Sequence, residues 1–184
     1  MAGNSHAEFP RAARGSVAYK GAKGWKLAAK NALGKLFATW TPQTATSGTD
    51  KTPVAGTRFT AGVVIPHTCD LTGISFLVGS VGGTDKVIAE MHKADGTLLA
   101  TTTMAGTTVG SAAGYQRVPF TAGVVGEPGV HYISLSFNGT TARFRTIPVG
   151  ELLTKSATGT FGTQATLTVP TTFTADVGPI ASTY

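Results

Sequence analysis

The run Lys86-Val-Ile-Ala-Glu-Met-His-Lys93 leads into Asp95-Gly96 and comes back as Thr97-Leu-Leu-Ala-Thr-Thr-Thr103. A second run, Val130-His-Tyr-Ile-Ser-Leu-Ser-Phe137, leads into Asn138-Gly139 and comes back as Thr140-Thr-Ala-Arg-Phe-Arg-Thr-Ile147. Asp-Gly and Asn-Gly tolerate the positive φ of a tight type I′ turn, and the runs around them are rich in strand formers. The pattern predicts two successive β-hairpins between Asp85 and Ile147. In the second, Ile133, Leu135 and Phe137 alternate with Tyr132 and Ser134, so the first set should be buried. On its return, Ala142, Phe144 and Thr146 alternate with Arg143 and Arg145.

The flanking segments continue the pattern. Arg58–Ile65 reads as a strand ended by Pro66, and Ile74, Phe76 and Val78 alternate within Leu71–Gly79. Tyr115–Thr121 reads as an edge or bulged strand, because Pro119 has no N–H for a ladder. Glu127-Pro128-Gly129 is a turn, and Thr158–Val177 supplies two more strand-like runs broken at Pro170. About eight short strands spaced by ~8–12 residues predict an all-β chain, an antiparallel β-sandwich.

Only 13% of the 184 residues are charged, against ~25% in ordinary soluble domains. Gly and Thr take their place, which suits a hydroxyl-rich structural surface better than an ionised active site. The single cysteine, Cys69, excludes an internal disulfide framework. No run approaches the ~18 apolar residues of a membrane span. The first 24 residues lack the apolar core of a signal peptide, so synthesis in a cytoplasm is expected.

The net charge of +6 is uneven. Residues 1–58 carry nine Lys/Arg against Glu8 and Asp50, a surplus of seven, whereas residues 59–184 carry six against seven acidic residues. Met1–Gly24 is polar, small and basic and reads as an arm that gains order on an acidic partner. In Trp25–Trp40 the apolar residues Trp25, Ala28, Ala29, Ala32, Leu33, Leu36, Phe37 and Trp40 recur at helical spacing, with Lys26, Lys30 and Lys35 beside them. That predicts a short amphipathic helix, its stripe to be buried on its own sandwich, a neighbouring subunit or a membrane surface. Thr41–Ala55 reads as a linker. The expected organisation is therefore an N-terminal arm, helix and linker over residues 1–56 and a β-sandwich over 57–184. Assembly contacts are expected from Arg11, Arg14, Lys20, Lys23, Trp25, Lys30, Leu33, Leu36, Phe37 and Trp40.

No catalytic constellation stands out. There is no nucleophile elbow, phosphate-binding loop or dinucleotide fingerprint. His67-Thr-Cys69-Asp70 gathers three metal-ligand types, but a structural zinc site needs about four ligands and no second pair lies nearby. Cys69 is then a small buried hydrophobe, and His92 and His131 are ordinary, partly exposed strand residues. Asp85, Glu90, Asp95 and Glu127 do not suggest a glycosidase pair, since Asp95 and Glu127 belong to turns. No catalytic residue, metal or cofactor is expected. Tyr115, Arg117, Arg143 and Arg145 are candidates for surface binding. Tyr115, Phe120, Tyr132 and Arg143 would also make a sugar platform. The basic arm has only Tyr19 and Trp25 among its lysines, too few stacking groups to predict nucleic acid as a partner.

At Asp95–Thr103, Tyr115-Gln-Arg-Val-Pro-Phe120, and Tyr132 through Phe137-Asn-Gly-Thr-Thr-Ala-Arg-Phe-Arg-Thr146 the chain resembles small β-sandwich virion proteins of tailed bacteriophages. The resemblance covers roughly residues 57–184. It implies a jelly-roll domain behind an N-terminal arm, serving as a capsid decoration, head-fibre or tail-associated subunit. It further implies a non-enzymatic structural role in the virion after synthesis in the host cytoplasm, with the major capsid or tail protein as partner. A homo-oligomer, by analogy a trimer, is expected. The alternative is a carbohydrate-binding, host-adhesion module of a phage tail or fibre, with a host glycan as partner.

Overall fold

The computed structural model describes residues 38–39, 47–80, 82–112, 114–163 and 166–184, and the backbone alone of residues 16–21 and 24–29. The chain divides into two compact units, Met1–Leu36 and Phe37–Tyr184.

In the first unit, β1 (Ser16–Gly21) pairs antiparallel with β2 (Gly24–Ala29), Lys20 opposite Trp25 and Ala18 opposite Leu27. This corrects two expectations. Residues 16–21 form a strand rather than an arm without structure of its own, and Trp25–Ala29 is a strand rather than the first turn of a helix. The physical reason is local ambiguity. Over these five residues Trp25, Leu27 and Ala29 also alternate with period two, and Gly21 opposite Gly24 closes the ladder. Farther along the expected helix, Ala38 forms an antiparallel bridge with Ser182 instead. Residues 30–37 and 40 lie outside the described residues, among them Lys30, Leu33, Leu36, Phe37 and Trp40, as do Arg11, Arg14 and Lys23.

The second unit consists of two antiparallel sheets. The first runs β12 (Thr154–Thr158), β4 (Thr57–Ile65), β10 (Gly129–Phe137), β6 (Lys86–His92), β7 (Leu98–Thr101), with β8 (Thr107–Thr108) also on β6. The second runs β13 (Ala181–Thr183), β5 (Cys69–Val78), β11 (Phe144–Thr146), β3 (Thr49–Lys51), with β9 (Gly114–Gly126) along β5. No helix occurs among the described residues. Part of the expected linker is thus the strand β3.

The sheets pack through inward residues. Phe59 and Phe137 from the first meet Phe76 and Phe144 from the second. Phe137 stacks on Phe144 with centroids 4.9 Å apart, and Phe59 tilts against Phe144 at 5.0 Å. Each such aromatic pair adds about 0.5–1.5 kcal/mol beyond the area it buries. As the alternation predicts, Ile133, Leu135, Phe137, Ala142, Phe144 and Thr146 are fully buried. Pro119 sits in β9, which pairs with β5 alone among the described strands and has a register break opposite Leu71–Gly73.

Both expected hairpin turns differ from the type I′ form. At the first, the Gly96 amide bonds the Lys93 carbonyl and the Lys93 amide bonds the Thr97 carbonyl. Gly96 alone has positive φ, 86°. This is a three-residue loop, a type I turn followed by a left-handed glycine. The Asp95 carboxylate caps it by accepting the Thr97 amide at 2.8 Å.

The second hairpin does not form. After β10 the chain leaves the first sheet and enters the second as β11. Asn138-Gly139 is the crossing point rather than a turn between paired strands. The reason lies in Asp85, whose carboxylate accepts the amides of Thr141 and Ala142 at 2.6 and 2.8 Å. The Asn138 side chain accepts the Lys86 amide at 2.7 Å. Glycine is required at 139 because a Cβ there would overlap the Asp85 carboxylate.

Among the described residues of Thr158–Val177 the expected strands do not form either, apart from Thr158 as the last residue of β12. Residues 159–163 and 166–174 form an irregular strap. Its Gly159 amide bonds Gly56, its Leu167 amide bonds Gly96, and its Thr174 amide bonds the Thr154 hydroxyl. Pro170 and the glycines 159 and 162 interrupt any ladder. The strap covers the outer face of the first sheet, which explains why Tyr132 and Ser134 are buried as well as their inward neighbours.

Removing the Asp85 carboxylate strands two amides at the crossing. Asp85→Ala is expected to cost ~2–4 kcal/mol, and Gly139→Ala to destabilise similarly; urea denaturation of both variants checks this. An Asp85→Ala variant with an unchanged midpoint would show that the crossing does not depend on the carboxylate.

Candidate functional site

The four candidate surface residues share one face. Tyr115 and Arg117 stand opposite Leu77 and Ser75 of β5, and Phe144 stands opposite Val78. With Phe144 inward, alternation places Tyr115, Arg117, Arg143 and Arg145 on the outer face of the second sheet. They do not form one cluster there. Arg117 lies over the Tyr184 ring, 4.8 Å from its centroid. Arg143 and Arg145 converge on Asp50 of β3, at 3.1 and 3.6 Å. Tyr115 is half-buried against the core around Leu77, and burial pushes its hydroxyl pKa up to about 12. At Tyr184, burial raises the pKa and outweighs the opposing charge of Arg117.

Asp50 is the hub of that face. The Ser80 amide donates to it at 2.9 Å, and the Ser80 hydroxyl also bonds it. Partial burial pushes its pKa up, but the Ser80 bonds, the Arg143 bond and the charge of Arg145 together hold it below the ordinary carboxylate value. The arginines therefore have an internal counterion. Their side chains are 40% and 14% exposed, so Arg143 is the one that also meets solvent.

The sugar platform expected from aromatics is not assembled. Phe120 and Tyr132 are buried. Two further expectations are corrected. His92 and His131 are buried rather than partly exposed, and Cys69 is partly exposed rather than buried. Burial, with Asp70 nearby, still raises the Cys69 thiol pKa. Among the described residues no group of three or more His, Cys, Asp or Glu is placed to hold a metal ion.

A second site was not visible as a motif. On the outer face of the first sheet, Arg58 of β4 meets Glu90 of β6, with Nε 3.1 Å from Oε2. His92 Nε2 lies 3.3 Å from the same oxygen, and His92 Nδ1 lies 3.2 Å from the Gly96 carbonyl. Thr60 and Ser134 bond each other beside them at 2.9 Å. All five side chains are buried, because β10 lies between β4 and β6 and the strap passes over them. A cleft of about 240 Å3 opens between Arg58 and the strap threonines. The sequence signal was the two-residue spacing of Arg58 and Thr60 on one strand and of Glu90 and His92 on another. It stays mute until strand order is known.

No family model matches the chain, and no curated protein matches it. No helix among the described residues is long and apolar enough to cross a membrane.

Asp50 sets a pH dependence. Its folded pKa lies below the ~3.9 of an unfolded aspartate, so its stabilisation is complete above that value and fades as pH falls through the folded pKa. Wild type should exceed Asp50→Asn in stability at neutral pH, and the gap should close on acidification. Denaturant midpoints of both proteins along a pH series check this; a gap that persists in strong acid would count against it.

Proposed function

We propose that the chain is a non-enzymatic structural subunit of a tailed-bacteriophage virion, most simply a capsid decoration or head-associated protein. The observation that carries the reading is the division of charge between the two compact units. Residues 1–36 hold seven Lys/Arg against Glu8, a net +6, and residues 37–184 hold eight basic against eight acidic residues. The whole net positive charge of the protein therefore sits in the smaller unit, and the larger unit is neutral on balance. A basic unit is drawn to an acidic shell surface, and repetition around a symmetric particle multiplies a weak single attachment. The resemblance of residues 57–184 to small phage β-sandwich proteins supports the same reading. So does the way successive strands alternate between sheets from β4 to β6 and from β9 to β13, a jelly-roll-like habit. In this reading the major capsid or tail protein is the partner, the subunit is a homo-oligomer with a trimer favoured by analogy, and its place is the virion.

The sandwich's carboxylates fit a structural role. Asp50, Asp85, Glu90 and Asp95 each hold a backbone amide or an arginine in place.

The structure fixes where a truncation should stop. Thr39 is buried, its amide and hydroxyl bonding the Ala181 and Pro179 carbonyls beside β13. Deleting residues 1–36 is expected to leave the sandwich's melting temperature unchanged and to abolish incorporation into particles assembled in infected cells. Deletion through Trp40 should also lower the melting temperature, by loss of the Thr39 bonds. Normal incorporation of the shorter truncation would refute the attachment role.

A further inference from the structure

We propose that Asn138-Gly139 is a spontaneous deamidation site that the sheet crossing holds shut, so that modification marks chains whose crossing has opened. The proposal does not depend on the virion reading.

Three observations carry it. The first is the sequence. Residues 138–139 are the chain's one Asn-Gly pair, and glycine has no Cβ to obstruct attack by its own amide nitrogen on the preceding side chain. In that reaction the Gly139 nitrogen loses its proton and bonds to Asn138 Cγ, and the side-chain nitrogen leaves as ammonia. Water then opens the cyclic imide. The product carries a carboxylate and either the original peptide link or one rerouted through the side chain. The second is exposure. Asn138 is exposed, so water and hydroxide reach it and burial gives no protection. The third is restraint. The Asn138 amide donates to the Lys86 carbonyl at 3.2 Å, and Asn138 Oδ1 accepts the Lys86 amide at 2.7 Å. Residue 138 is thus held at both its backbone and its side chain. Gly139 lies against the Asp85 carboxylate, which also holds the amides of Thr141 and Ala142.

Bringing Asn138 Cγ to bonding distance of the Gly139 nitrogen turns torsions that these bonds keep fixed. Loss of the Gly139 proton would also create negative charge beside the Asp85 carboxylate, which opposes it. The reaction therefore waits for local opening, and its rate is the open fraction times the rate of an unrestrained Asn-Gly pair. The product closes less well. It sets a second carboxylate beside Asp85. In the rerouted form it also adds a methylene to the backbone between Phe137 and Phe144, whose rings must stack.

The test is a time course on the full chain, folded in buffer and unfolded in concentrated urea, at one pH and temperature. Trypsin releases residues 118–143, in which Asn138 is the sole Asn or Gln. The mass gained when NH2 becomes OH in that peptide reports the site. The folded chain should deamidate about tenfold or more slowly than the unfolded chain. Asp85→Ala should accelerate the folded reaction about fivefold or more. If that variant fails to fold, Asp85→Asn, which keeps the shape and removes the charge, takes its place with the same direction expected. Below the unfolding transition the wild-type rate should stay flat with urea, because opening one loop exposes little surface. The purified deamidated chain should unfold at lower urea than the unmodified chain. Equal rates in the folded and unfolded chains would overturn the proposal. So would a folded rate that the Asp85 variant leaves unchanged, a rate that climbs with urea as steeply as global unfolding, or an unchanged midpoint after deamidation.

Discussion

The Asp85 carboxylate decides where the chain changes sheets. It sits just before β6, in the first sheet, and binds the amides of Thr141 and Ala142, just before β11 in the second. One side chain thus ties the start of an inner strand of one sheet to the entry into the other. The Asp85 carbonyl also accepts the Val109 amide, so the loop ahead of β9 is tied to the same residue. Without that link β10 would have no reason to release its continuation. The simplest fate of Asn138-Gly139 would then be a hairpin, with Thr140–Ile147 lying beside β10 and competing with β4 and β6 for its edges.

With the crossing set, the core follows. Phe137 ends β10 and Phe144 begins β11, seven positions later and in the other sheet, yet their rings stack. The crossing loop is therefore closed by its own two ends, and Phe59 and Phe76 complete the contact from β4 and β5. Truncating a buried Phe in such a set costs about 3–5 kcal/mol, comparable to much of a domain's net stability. The Asp85 bonds and the phenylalanine cluster are two supports of one joint.

Periodicity exposed the inward faces well, because Ile133, Leu135, Phe137 and Phe144 obey a strict period of two. It failed where one signal fitted two structures. Asn138-Gly139 serves a tight turn through positive φ, but glycine also admits a close neighbour, and here the neighbour is a carboxylate from 54 residues earlier in the chain. Trp25–Ala29 fits both a helical stripe and an alternating strand. Thr158–Val177 has the composition of strands but not their uninterrupted amides. The arginines on the second sheet were legible as a shared face, whereas their engagement with Asp50 and Tyr184 was not. Asp50 lies in a stretch that reads as linker, and Tyr184 is the final residue. The Arg58 cleft was least legible, because its parts come from β4, β6, β12 and the strap, and only strand order brings them together.

The strap gives that cleft its physical character. A sheet with one face on the core normally shows water a polar second face. Here Arg58, Thr60, Glu90, His92 and Ser134 form such a face, and residues 159–163 and 166–174 then cover it. Covering polar groups gains little hydrophobic energy and demands that each find a partner. The partners are present between strands: Arg58 with Glu90, Glu90 with His92, His92 with the Gly96 carbonyl, Thr60 with Ser134. The strap itself is fastened by backbone bonds at Gly56 and Gly96 and at Thr154, and it contributes Leu167 as its buried apolar side chain over the cleft. Between Arg58 and the strap a cleft of about 240 Å3 is left, over a polar face where packing alone would favour an apolar seal.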